Sequence, residues 1–199
     1  MTRLDSEVAA WQDPLRAGYR DHPADAAITD AARTWDDDVT DPWHVRTVPG
    51  DHDYGVAWTV GTHRAVGGHH DAPNPGDMLS AALAVCLDSA IRLIANRWGV
   101  TLTTLAVRVE SDVDVRGTLM VDPSVPVGFQ RMRCAVTLET APGTPPEMRD
   151  KLFAAGEHCC VNLQTLRAGV PVETTLISPS DSSPPSPRSA RSSRFGSLR

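Results

Sequence analysis

The chain has 199 residues, 41% of them hydrophobic, and a formal net charge of −6. That length suffices for one domain with a sizeable core plus tails, and the acidic balance argues against a general role in binding nucleic acid. No uninterrupted apolar run approaches the roughly 20 residues of a bilayer span, and no apolar signal-peptide core follows Met1–Glu7, so a cytoplasmic protein without a membrane segment is expected.

Residues 1–42 read as a partly helical leader, with a weak helical pattern at Ala9, Ala10, Trp11 and Leu15 and a second over 24–32. The leader carries the acidic run Asp36-Asp37-Asp38 and is expected to pack on the main domain or on a partner subunit. The main domain is placed at 43–176. Residues 44–49 and 55–61 alternate as strands do, with a turn at Gly50–Asp53 between them. A loop follows at 67–73. Asn74 and Pro75 then announce a helix: asparagine caps well, proline suits the first helical position, and Asp77 sits where the macrodipole favours an anion.

That helix is predicted over 75–98. Its first three turns are apolar on every side, which predicts burial on every side, against a sheet and against a second subunit. Gly99 stops it. Residues 100–116 and 128–140 alternate as two long strands. Thr144 and Glu147 read as a capping box for a helix over 145–157. A short helix over 160–168 ends at Gly169, and Val170–Leu176 make a last strand. Residues 177–199 are rich in serine, proline and arginine and are expected to be a disordered tail. This order of elements predicts an α+β fold.

Four cysteines in a reducing compartment are not a disulfide framework. They are reactive, metal-binding or simply buried. Cys86 lies midway along the long helix, and Cys160 at the break between the last two helices. A cysteine opening a helix meets unpaired amides and a positive dipole end, which favour the thiolate. On residues alone, two buried and inert cysteines are the favoured reading. Cys134 is assigned to the core face of a strand, and Cys159 is a bystander or an alternative resolving thiol. Asp88 and Arg92 are spaced for a helical ion pair. His63, His69, His70, Asp71 and His158 follow no compact zinc-site spacing, so no metal or other cofactor is expected.

The stretch Asn74-Pro75-Gly76-Asp77-Met78-Leu79-Ser80-Ala81-Ala82-Leu83-Ala84-Val85-Cys86 resembles the first signature of the OsmC/Ohr family. Cys160-Val161-Asn162-Leu163-Gln164-Thr165-Leu166 is similar to its second, with Val161 where proline is usual. The segments 113–119 and 125–130 match the middle strands. The resemblance implies antiparallel sheets wrapped around long central helices in an intertwined homodimer. It also implies thiol-dependent reduction of organic hydroperoxides, with Cys86 peroxidatic, Cys160 resolving, and electrons from a small dithiol or a lipoylated protein. The hydroperoxidase branch has a glutamate directly after the proline, where this chain has Gly76, so Asp77 is the nearest carboxylate. That branch also holds the thiolate with an arginine from an early strand or loop, for which Arg46 and Arg64 are the candidates. The alternative on the same scaffold is a non-enzymatic stress-response or small-ligand-binding protein.

Overall fold

The long helix forms where its caps place it. In a computed structural model that describes residues 6–35, 38–50 and 56–178, the helix runs from Pro75 to Trp98. The Asn74 carboxamide accepts from the Gly76 and Asp77 amides, while the Asp77 carboxylate accepts from the Asn74 backbone N–H at 2.9 Å. Both halves of a capping box are therefore made. Gly99 closes the other end in the left-handed region at φ 68, which glycine adopts without a steric penalty.

Five helices and five strands are formed among the described residues. They are α1 (Glu7–Asp21), β1 (Ala32–Trp35), β2 (Val45–Pro49), β3 (Trp58–Val60), α2 (Pro75–Trp98), β4 (Leu102–Asp112), α3 (Val115–Thr118), β5 (Arg131–Thr140), α4 (Pro146–Cys159) and α5 (Val161–Ala168). β1, β2 and β3 make an antiparallel sheet in that order, and β4 and β5 make a second, two-stranded one. In the latter Leu105 faces Leu138 and Val107 faces Val136.

One core joins these elements. Leu83, Leu87, Ile91 and Ala95 form the buried stripe of α2, at a spacing of four residues. They cluster with Leu138 of β5, Leu152 of α4, and Cys160 and Leu163 at the start of α5. A fully buried leucine or isoleucine contributes about 1.5–3 kcal/mol, so this stripe dominates what holds α2 in place. By length and apolar composition α2 would also pass for a membrane span, but here its stripe forms the core of the fold.

The sequence places α2 between a sheet and a second subunit, and the single chain supplies the packed side of it. Its opposite face is open in the single chain: Val85 is 65% exposed, Leu93 45% and Trp98 44%. α1 covers part of the C-terminal half. Ser6 donates its hydroxyl to Asn96 Oδ1 at 2.8 Å, the Val8 amide donates to the same oxygen at 3.1 Å, and Arg97 pairs with Asp13.

Other expectations shift for local reasons. Residues 32–35 pair with β2 as a strand, where the sequence shows a helical pattern up to 32. Strand alternation at 113–116 gives way to α3, because the Asp114 carboxylate accepts from the Arg116 amide and caps a turn. Thr144 makes no cap for α4; Pro145 occupies the N-cap without a side-chain hydrogen bond. Gly169 ends α5 at φ 70, as expected. Residues 170–178 contain no strand. Most of the acidic run at 36–38, the turn at 51–53 and residues 179–199 of the tail lie outside the described residues.

Candidate functional site

α4 and α2 cross where α4 has no side chain. A Cβ on Gly156 would stand 2.4 Å from Ile91 Cγ1, far inside van der Waals contact, so only glycine permits this approach. From that crossing, one turn forward in α4 leads to Cys160 and one turn back in α2 leads to Leu87 and Cys86. Cys160 is fully buried in the core cluster, and half-buried Cys86 packs against that cluster, close enough for the two thiols to act on each other. Two cysteines 74 positions apart in the chain are thus brought together.

Cys160 has extended backbone, at φ −75 and ψ 105, between two helices. Cys160 therefore occupies the N-cap position of α5, with its sulfur beside the amides of Asn162 and Leu163, the donors a capping side chain normally satisfies. Asn162 ties this junction to α2 by donating Nδ2–H to the Ala82 carbonyl at 2.9 Å. Burial pushes the Cys160 thiol above its ordinary value, and the neighbouring Cys86 thiol adds to the rise. The amides of Leu163 and Asn162 pull the other way without reversing it. Desolvation of a charged sulfur outweighs two amide dipoles here.

Cys86 lines a cavity of about 520 Å³ between α1, α2 and α4. Its walls include apolar Ala90, Leu93 and Ile94, and the arginines Arg16 and Arg97. Arg97 is held by Asp13, and its Nη1 is buried without a partner. Cys159 lies on the same cavity and is exposed.

The supporting residues expected from sequence lie elsewhere. Asp77 is engaged in the capping box, accepting from Asn74 Nδ2 at 2.6 Å, and sits about 13 Å along the helix axis from Cys86. Arg46 is on β2, and Arg64 on a 3-10 turn at Arg64–Val66; neither lines the Cys86 cavity. Sequence reading missed Arg16 and Arg97. The second had a signal: eleven residues after Cys86 is three turns of helix, which returns to nearly the same face. Arg16 had none, since it arrives with α1. Cys134 is also corrected. It faces Val109 across the sheet but is exposed, on a second cavity of about 650 Å³.

Gly76 has a physical reason. A Cβ there would meet the Phe129 ring at 2.9 Å and Asn74 Oδ1 at 3.0 Å. Phe129 thus fills the space beside the backbone into which a side chain at this position would project.

Comparison with known proteins follows this geometry. The OsmC-like protein family model matches residues 68–175. No curated protein sequence matches significantly. Among solved structures, the chain is similar to an organic hydroperoxide resistance protein OsmC from Legionella pneumophila, at TM-score 0.51 and 21% identity, covering 70% of this chain and 90% of that one. It is similar to an organic hydroperoxide resistance protein from Elizabethkingia anophelis, at 0.51 and 17%, covering 72% and 91%. It also resembles an OsmC-like protein from Mycoplasma pneumoniae, at 0.55 and 13%, covering 71% and 89%. At these identities the likeness is one of fold.

Proposed function

Because this chain belongs to the OsmC-like protein family, we propose that it is a thiol-dependent peroxidase that reduces organic hydroperoxides through Cys86 and Cys160. The observation that carries this reading is buried Cys160 at the start of α5 with Cys86 packed against the same core cluster. A thiol whose charged form is disfavoured by burial keeps its proton and serves as a donor. Cys160 therefore stays a thiol beside Cys86 until Cys86 has been oxidised. In the first step Cys86 attacks the distal peroxide oxygen. The O–O bond breaks, an alcohol leaves, and Cys86 becomes a sulfenic acid. In the second, Cys160 attacks that sulfur, water leaves, and a disulfide forms. An external dithiol or lipoylated protein returns both thiols.

The apolar cavity wall at Ala90, Leu93 and Ile94 suits an organic hydroperoxide better than hydrogen peroxide. Asp77, Arg46 and Arg64 would support the site only across an assembly. The open apolar face of α2, with Val85 and Leu93 exposed, suits the second chain of a homodimer in the cytoplasm.

Thiol titration and intact mass before and after one equivalent of cumene hydroperoxide test the reading. Wild type should lose both thiols of the pair, and Cys86→Ser should lose at least about a hundredfold in peroxide consumption. Cys160→Ser should trap a sulfenic acid. Unchanged wild-type thiols would sink the proposal. Gly76, packed under Phe129 where the hydroperoxidase branch has a carboxylate, favours a second reading: a non-enzymatic small-ligand-binding protein. In that case a ligand would be retained by the Cys86→Ser/Cys160→Ser double variant.

A further inference from the structure

Resting on that thiol pair, we propose that Cys159 is a third reactive thiol, which relays reducing equivalents from the cavity to the Cys86–Cys160 disulfide. A buried disulfide poses an access problem. Thiol–disulfide exchange requires the attacking sulfur to reach one sulfur of the bond, and its rate depends on which sulfur is reachable. Cys160 is 0% exposed and faces the core. Cys86 is reachable through the 520 Å³ cavity, and Cys159 stands on that same cavity wall, one turn along α4 from Ala155, which also lines it. Cys159 is exposed and shares its cavity with Cys86, one of the two sulfurs of the bond that must be opened.

Cys159 has one plausible target. Adjacent cysteines across a trans peptide have Cα atoms about 3.8 Å apart, below the roughly 4.4 Å lower limit of an ordinary disulfide. Pairing of Cys159 with Cys160 is therefore strained, whereas Cys86 and Cys159 line one cavity. The Cys159 thiolate attacks Cys86 Sγ. A Cys86–Cys159 bond forms, the Cys86–Cys160 bond breaks, and Cys160 leaves as a thiolate. The amides of Asn162 and Leu163 point at that leaving sulfur, and Cys160 then takes up the proton that Cys159 gave up. No electrons enter in this step.

An external dithiol attacks the exposed Cys159 sulfur and releases Cys86. Its second thiol displaces Cys159, so the dithiol leaves as its own disulfide and both protein thiols are reduced. A thiol fixed in the cavity wall acts at a far higher effective concentration than a free reductant, so the relay accelerates the slow, buried step.

Two variants of the full chain test this, using diamide to oxidise thiols without any peroxide. Cys160→Ser should form a Cys86–Cys159 disulfide, seen by intact mass and peptide mapping; free thiols in that variant would overturn the relay. Wild type and Cys159→Ser, oxidised to the Cys86–Cys160 form, are then reduced with dithiothreitol. The Cys159→Ser protein should be reduced at least about tenfold more slowly, with an unchanged melting temperature, since position 159 is exposed. Reduction at the wild-type rate would refute the proposal. A wild type inert to hydroperoxide that still behaves this way with diamide would remove the peroxidase reading and leave the relay standing.

Discussion

The long helix and the sheet that precedes it are held by different physics. Around the thiols, α2, α4 and α5 meet through Leu83, Leu87, Ile91, Leu152 and Leu163, all buried, with the cysteines inside the same cluster. Around β1–β3 the only buried hydrophobic side chains among the described residues are those of Val48 and Val60. The organising contacts there are exposed and polar. His44 bridges Asp41 at 2.9 Å and Asp71 at 3.0 Å, and stacks on His69. The first region sets positions by volume, which neither salt nor pH changes. The second sets them by charge-assisted contacts that solvent screens. A thiol pair that must meet to form a disulfide belongs in the first kind of environment.

The largest expected effect breaks the first region at its tightest point. Gly156→Ala places a methyl group against Ile91, and overpacking of this kind costs about 1–3 kcal/mol. It should also part the helices that hold the cysteines. The urea midpoint should fall, and disulfide yield after oxidation should fall with it. A variant that loses stability yet pairs its thiols as wild type does would show that the crossing does not set the thiol geometry. Asn74→Ala comes next. It removes the cap of α2, which should cost about 1 kcal/mol, while leaving the packed stripe and thiol pairing intact. A drop in disulfide yield as large as that of Gly156→Ala would mean that the helix start also positions the site.

What could be read from the sequence divides along the same line. α2 was legible to the residue, because Asn74, Pro75 and Gly99 are local signals whose partners lie within four positions. The end of α5 at Gly169 was legible for the same reason. β1 was not, because its pairing of Arg33 with Val48 is non-local and four residues carry little period. Residues 113–118 misled, since Val113 and Val115 alternate like a strand while Asp114 caps a turn. Cys86 and Cys160 came from motif resemblance, whereas their contact depends on Gly156, whose role appears only once α4 lies on α2. Arg16 and the Cys159 side of the cavity depend on how α1 and α4 dock, which local patterning does not encode.

The smallest expected effect probes the second region, and its sign follows from the shifts. The hydrogen bond to Asp41, then that to Asp71, raises His44 above its ordinary 6.5. Its contribution to stability is complete below 6.5 and is lost as pH rises through the raised value. The amide of Trp43 and the hydrogen bond to His44 lower Asp41 below 3.8, and the hydrogen bond to His44 chiefly lowers Asp71. Their contribution is complete above 3.8 and is lost as pH falls through the lowered values. The network therefore stabilises most between the two ordinary values. The melting temperature of wild type minus that of His44→Gln should peak at about pH 5–6, shrink as pH rises beyond the raised histidine value, and shrink with added salt. A difference that stays flat with pH would mean that His44 acts by packing instead. Thiol pairing should not differ between these two proteins at any pH in that range, because none of these charged groups lines the Cys86 cavity.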